Sequence, residues 1–502
     1  MENQSAMRFI AVCLIAIGLA CALPLAAGAA QPRTAGLLAV GYTSEADLAR
    51  AVAGGRADVV RKLGPLHVAE VRPHVADFAA TALRLSGISY VEHVVTRRPA
   101  SEPALFPTTN TGAPFEWQFA ATHEDAVPAS VLRAAGAVKI AVIDTGADLT
   151  APDLAAKSPW TYNLSTGGPD VRDVNGHGTF VSSLAAGSVA NGDGLAGFGG
   201  DAQLLVIKAV NDDGSLTDLD EAHGIMYAVD HGARVINLSV GGPATSGTEQ
   251  RAVEYAYEHN VLIVAAVGNE YTMGNPVEYP AALLQPVGSK GRGGVGLAVG
   301  ASTVDGSRAF FSNAGTQVSL VAPGLDVFGA ISSFSSPEEY PRATLPGSTA
   351  GLYGYSSGTS FATPEVVGAA ALVMGANPFL RATDVAAILK ATASGHGQWN
   401  PETGSGVLDA AAAVAQAQGP NGLNVRGVRS SGRVRVQWFS AAAAQYRVSL
   451  RIDKGATRVL LDKTPTTSFS QKVRRKHRYT FTVDALDAAG AVTATTTYSL
   501  RA

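Results

Sequence analysis

The chain has 502 residues, of which 46 % are apolar and 16 % charged, with a formal net charge of −3. That length accommodates two or more domains and a sizeable core, and the composition excludes an intrinsically disordered chain. The abundance of glycine (55 residues) suits a tightly packed α/β domain with close backbone approaches, and the charge balance gives no reason to expect a nucleic-acid partner.

Residues 1–30 read as a cleaved signal peptide. Arg8 supplies a positive start, Phe9 to Leu25 is an almost unbroken apolar run, and Ala27-Gly28-Ala29 is an A-x-A-like cleavage site. An uncleaved anchor is the alternative, which Pro24 and the small residues after it disfavour. Secretion, to the extracellular space or a periplasm, is the expected localisation. Both cysteines, Cys13 and Cys21, lie in this segment, so the exported protein is expected to contain no disulfide.

Residues 31–105 read as a small α/β unit. Gly36 to Tyr42 predicts a strand, Ser44 caps a helix through Val52, and His67 to Val71 predicts a second strand. Asp77 to Leu85 is an amphipathic helix, and Ile88 to Val95 a third strand. Thr96-Arg97-Arg98-Pro99-Ala100-Ser101-Glu102-Pro103 then reads as an exposed, cleavable linker.

From 106 to 418 apolar strands alternate with helices, which predicts a mainly parallel sheet covered on both faces. Ala137 to Ile143 is a continuous apolar strand ending in Asp144-Thr145-Gly146, and functional groups collect at the C-terminal edge of such sheets. His177 stands between Gly176 and Gly178 at the start of a small-residue helix, where glycine neighbours permit close backbone approach. Val261 to Ala266 is a strand leading into Val267-Gly268-Asn269-Glu270. Gly358-Thr359-Ser360-Phe361-Ala362-Thr363-Pro364 places a serine at a helix N-terminus, with the proline opening the helix and Glu365 to Met374 continuing it. Each residue has a bland reading: strand-ending turns for Asp144 and Asn269, a helix cap for Ser360. Together they supply a nucleophile, an imidazole base, a carboxylate that orients the base, and an amide donor for an oxyanion.

Asp144-Thr145-Gly146, His177-Gly178-Thr179 and the serine segment resemble the three signatures of subtilisin-like serine proteases, with Asn269 as the family's oxyanion residue. Sedolisins share a similar serine motif, but the intact His177 motif argues against them. The resemblance covers about 106 to 415. It implies a subtilisin-like fold and an Asp144, His177, Ser360 triad, with Asn269 and the Ser360 N–H as oxyanion hole and no cofactor in catalysis. It also implies that Ser239-Val240-Gly241 pairs with an extended protein or peptide substrate, and that Tyr279-Pro280-Ala281 lines the primary specificity pocket. By position, 31–105 matches the family's propeptide, which assists folding and inhibits the enzyme. Glu270 and Glu278 fall at the rim and base of the pocket in relatives, and two carboxylates there would favour a basic side chain before the scissile bond; the alternative is that they point to solvent. Structural calcium is common in relatives. Asn191 and Asp193 offer oxygen donors where one such loop would lie, although a polar turn accounts for them equally well. Phe361 replaces a usual methionine and Glu365 a common histidine, which read as packing or helix-surface changes. Phe334 to Tyr353 reads as extra loop beside the substrate cleft, able to narrow the substrate range.

After Gly419-Pro420-Asn421-Gly422, residues 423–502 switch to short alternating strands around Trp438, Tyr446 and Tyr479/Phe481/Val483, a pattern that resembles a fibronectin type III β-sandwich. Residues 422–502 hold 15 Lys+Arg against 4 Asp+Glu, while 37 of the chain's 41 acidic residues lie upstream. The run Lys472, Arg474, Arg475, Lys476, Arg478 suits an anionic polymer or surface, or equally a solvated basic face. Two functions therefore stand open: a secreted endopeptidase, or a protease-like binding protein acting through its basic β domain.

Overall fold

The apolar strands from 139 onward are buried on both faces, and this dictates the layered architecture seen in a computed structural model of the protein. It describes residues 36–99, 116–189, 194–343, 352–419 and 421–502. The leader proposed for residues 1–30 therefore lies outside the described residues. The elements below all belong to one compact unit, Leu37–Ala502.

The N-terminal part comprises β1 (Leu38–Tyr42), α1 (Glu45–Val52), β2 (Ala57–Leu63), β3 (Val68–Pro73), α2 (Phe78–Ala82) and β4 (Ile88–His93). Its four strands form an antiparallel sheet in the order β2-β3-β1-β4. Ser44 caps α1 as expected, its hydroxyl accepting from Asp47 N. The unexpected element is β2, in which Asp58, Val59 and Val60 are exposed in succession, leaving no clean alternation to read. The first half of the supposed linker also differs, and its remainder from residue 100 lies outside the described residues. Thr96–Pro99 is a strand, β5, and Arg97 is 1 % exposed.

The central part runs α3 (Trp117–Ala121), α4 (Ala129–Ala134), β6 (Lys139–Asp144), α5 (Pro152–Ala155), β7 (Trp160–Asn163), α6 (His177–Ala186), β8 (Gln203–Lys208), β9 (Leu216–Thr217), α7 (Asp218–Asp230), β10 (Val235–Leu238) and β11 (Val240–Gly241). It continues with α8 (Gly247–Glu258), β12 (Leu262–Ala266), α9 (Ala281–Leu284), β13 (Leu297–Ser302), β14 (Leu320–Pro323), β15 (Val327–Ala330), β16 (Tyr353–Ser356), α10 (Thr359–Ala376), α11 (Ala382–Thr392) and α12 (Ala410–Gln418). Seven parallel strands pair in the order β14-β13-β12-β10-β6-β8-β7. Successive residues of a strand face opposite layers. Ile140 and Val142 enter the core under α6 and α10, whereas Ala141 and Ile143 enter the one under α7.

Every residue of α10 is buried, so this helix, apolar enough by composition to cross a membrane, is the axis of the core. Glu365 is no helix-surface residue: it is fully buried, and neither carboxylate oxygen has a hydrogen-bond partner among the described residues. Desolvation holds its pKa well above the ordinary carboxylate value. Below the unfolded-state pKa, near 4.3, the group is protonated in both states and carries no penalty; stability is lost as pH rises from there through the folded-state pKa. Glu365→Met is therefore expected to stabilise the fold by about 1–3 kcal/mol, with a larger gain at pH 8 than at pH 5. Thermal unfolding in a Ser360→Ala background, free of self-digestion, checks this; no gain at either pH would mean that Glu365 has a partner.

The C-terminal part has seven strands: β17 (Asn424–Ser430), β18 (Arg433–Phe439), β19 (Gln445–Ile452), β20 (Arg458–Thr464), β21 (Ser468–Lys472), β22 (Arg478–Leu486) and β23 (Val492–Arg501). They form a three-stranded sheet, β17-β18-β21, and a four-stranded sheet, β20-β19-β22-β23, around Trp438, Tyr446 and Phe481. Asn424 joins this sandwich to the end of α10, its Nδ2 donating to Ala376 O at 3.1 Å.

Candidate active site

Asp144 ends β6 and His177 begins α6, at the C-terminal edge of the parallel sheet. Their side chains are 1 % and 2 % exposed, and His177 Nδ1 lies 2.7 Å from Asp144 Oδ1. The same oxygen accepts from Thr145 N at 2.7 Å. Two glycines make this approach possible. A Cβ on Gly178 would meet Gly146 O at 2.2 Å, and one on Gly146, where φ is +114°, would meet Val171 O at 2.1 Å. This is the physical content of the Asp144-Thr145-Gly146 and His177-Gly178-Thr179 motifs.

Asp173, which the motif reading passed over, secures the helix that carries His177. Buried completely, it accepts from Thr145 Oγ1 (2.8 Å), Gly176 N (2.8 Å), Thr179 N (2.8 Å) and Thr179 Oγ1 (2.6 Å). Its signal was available as an acidic residue just ahead of a helix N-terminus, where orphan N–H groups and the macrodipole favour a carboxylate.

Ser360 lies in the first turn of α10, which starts at Thr359 rather than at the proline. Pro364 is inside the helix and has no N–H to give the carbonyl four residues back, that of Ser360. Ser239 Oγ takes that place, donating to Ser360 O at 2.8 Å and held in turn by Asn237 Nδ2 at 3.0 Å. Ser360 Oγ donates to Ser239 O at 3.3 Å. Phe361 packs against both the His177 imidazole, with ring centroids 5.6 Å apart, and Phe180 at 4.5 Å. Asn269 reaches the same helix start. Its Oδ1 accepts from Thr359 N and Thr359 Oγ1, both at 2.9 Å, which directs its amide nitrogen toward Gly358.

Beside this cluster, Val240 and Gly241 form β11, already paired antiparallel with Pro99 and Arg98 of β5. Tyr279 bridges to Gly242, its N donating to Gly242 O at 2.9 Å and its O accepting from Gly242 N at 3.0 Å. Neither Glu270 nor Glu278 points to solvent, each being 8 % exposed. Glu270 folds back, its Oε2 accepting from Asn269 N at 2.7 Å and lying 3.4 Å from Asn313 Nδ2. Glu278 Oε2 faces Gly241, 3.5 Å from where a Cβ would sit. Of the supposed extra loop, 344–351 lie outside the described residues, while Tyr340 and the residues just ahead of the loop pack onto the His177 side. Ser333 N and Oγ donate to Asp148 Oδ2, and buried Tyr340 lies against Gly176.

The calcium donors Asn191 and Asp193 lie outside the described residues. Asp153 is engaged by other described residues, Oδ1 accepting from Leu195 N (3.1 Å) and Oδ2 from Tyr353 OH (2.9 Å). The described residues contain no group of three or more His, Cys, Asp or Glu placed to hold a metal.

Comparison with known proteins gives this geometry a family. The subtilase (peptidase S8) family model matches residues 135–419. Subtilisin BL of Lederbergia lenta is 37 % identical over 277 residues, covering 55 % of this chain and 90 % of that protein. A thermophilic serine proteinase of Bacillus sp. (strain AK1) is 37 % identical over 243 residues, and here the match spans only 53 % of the relative's length and 48 % of this chain. In fold, the chain is similar to fervidolysin from Fervidobacterium pennivorans, a keratinolytic enzyme related to subtilisin. The TM-score is 0.66 at 23 % identity, over 93 % of this chain and 76 % of that one. The chain belongs to the subtilase family of serine endopeptidases.

Proposed function

We propose that the protein is a secreted endopeptidase that hydrolyses peptide bonds through a Ser360 acyl-enzyme. The observation that carries this reading is the 2.7 Å Asp144–His177 pair at the sheet edge where α10 presents Ser360. Ser360 Oγ adds to the scissile carbonyl carbon while His177 Nε2 takes its proton. The tetrahedral intermediate then collapses, the C–N bond breaks, and His177 returns the proton to the departing amine. Water repeats the sequence to release the acid. Asp144 fixes the imidazole tautomer and stabilises its cationic form. The developing oxyanion is met by the Ser360 N–H, which has no carbonyl partner four residues back inside the helix, and by the Asn269 amide. No step calls for a metal.

Residues 31–105 act in this reading as a propeptide that inhibits the enzyme, 106–418 as the catalytic domain and 423–502 as an accessory sandwich. Support for the first comes from the way the N-terminal sheet caps the central domain. Glu92 accepts from Gly247 N and Thr248 N (3.1 Å each) at the start of α8, and Arg251 of α8 donates to Leu66 O at 3.0 Å. Export is proposed from the leader pattern at residues 1–30. A basic residue immediately before the scissile bond remains part of the proposal through Glu278, with Glu270 serving Asn269 instead. The exposed Lys472–Arg478 run supports a lesser role in holding the enzyme to anionic surfaces.

The test is labelling by a serine-directed phosphonate. Stoichiometric labelling of the matured protein, abolished in Ser360→Ala, is expected; an unlabelled wild type would overturn the reading. Reporter peptides differing only at the residue before the bond address Glu278, which falls away if Leu or Phe is cleaved as well as Arg or Lys.

A further inference from the structure

Strand β5 is inserted between β9 and β11, with Arg97 opposite Leu216 on one side and Arg98 opposite Gly241 on the other. The Arg97 side chain is fully buried between α7 and α8. Its Nε donates to Glu221 Oε2 at 3.2 Å, its Nη1 to Ala244 O at 2.6 Å, and its Nη2 pairs with Glu249 Oε1 at 2.8 Å. Glu221 and Glu249 are themselves completely buried, and so is Asp218 beside them. Thr245 Oγ1 holds the other Glu249 oxygen at 2.6 Å.

This is a built recess with three buried acids facing one cation. Burial raises the pKa of Glu221, to about 8, and of Glu249, and the Arg97 charge opposes both shifts. An apolar side chain in that place would leave two desolvated carboxylates facing each other. Lysine brings the charge but lacks the planar fork that meets two carboxylates and a carbonyl at once. Arg97 therefore has the chemistry of a recognised side chain rather than of linker surface.

The register locates the recess relative to the reacting serine. β11 follows directly on Ser239, whose carbonyl touches Ser360 Oγ. In a substrate strand held as β5 is held, the residue after the one opposite Val240 falls opposite Ser239, beside Ser360. The arginine is then the fourth residue on the N-terminal side of the bond attacked.

We propose that Glu221 and Glu249 form an arginine-recognition subsite of the cleft, and that the enzyme selects polypeptides carrying arginine at the fourth position before the cleaved bond. This rests on the protease reading above. It moves the main source of selectivity from the pocket beside Ser360 to a site between α7 and α8.

The experiment uses full-length protein allowed to mature, quantified by phosphonate titration. Fluorogenic peptides of one sequence carry Arg, Lys, Leu or Ala at the fourth position. Arg is expected to exceed Leu and Ala in kcat/KM by about 30-fold or more, with Lys between. In Glu221→Leu/Glu249→Leu the Arg-to-Leu ratio is expected to collapse toward one or invert. Equal cleavage of the Arg and Leu peptides by titrated wild type would overturn the inference alone, leaving Arg97 as a contact confined to the precursor. A protein that no phosphonate labels would overturn the protease reading and this inference with it. Wild-type selectivity decides the matter even if the double variant fails to mature.

Discussion

Ser360→Ala is expected to lower kcat for peptide hydrolysis by about 10⁶, with KM changed far less; that magnitude is established for subtilisin itself and is carried over rather than derived from the present geometry. The reason lies in the division of labour around α10. Ser239 occupies the Ser360 carbonyl, Thr359 occupies the Asn269 oxygen, and Glu270 occupies the Asn269 N–H. None of these contacts depends on the Ser360 hydroxyl, so the variant is expected to fold, bind and retain the oxyanion donors while losing the nucleophile. The residual rate should stay above the uncatalysed one, because oxyanion stabilisation and binding survive. Single-turnover kinetics on an activated ester check this. A variant that keeps more than about one-hundredth of the wild-type kcat would show that another group attacks.

Asp144 is expected to be worth about 10⁴ in kcat, again a value known from this class of site. The structure allows its charge and its hydrogen bonds to be tested separately. Oδ1 receives both His177 Nδ1 and Thr145 N, and an asparagine keeps an oxygen able to receive the same two donors. What asparagine lacks is the negative charge that stabilises the imidazolium as it forms. Asp144→Asn and Asp144→Ala are therefore expected to be similarly impaired, with Asn retaining the wild-type thermal stability more fully. Near-normal turnover by Asp144→Asn would mean that orientation alone matters. The buried position of the pair, away from screening solvent, is why a large effect is expected.

The fold was legible wherever burial writes itself into local pattern. Strand β12 is apolar throughout, and β6 and β8 are apolar between polar end residues, because helices cover both faces. Elements on the periphery were harder to read. β2, β17, β21 and β23 carry exposed Arg, Lys, Ser and Thr with one weakly buried face, so alternation hardly marks them. The start of α10 was misplaced by a turn because a proline normally opens a helix. Here Ser239 supplies the hydroxyl that lets Pro364 sit inside one.

The sequence by itself determined the family. Asp144, His177, Asn269 and Ser360 are each flanked by residues whose smallness or capping ability the geometry demands at short range, and short-range demands are readable along a chain. Only the tertiary structure decided what the charged residues do. Arg97 reads as surface in a Pro-rich stretch, yet it is buried because Glu221, 124 positions away, and Glu249 converge on it from two helices. Glu365 reads as the polar side of a helix, yet α10 has no such side. Whether a charge is solvated, paired or left neutral depends on what the rest of the chain brings within a few ångströms, and no local pattern records that.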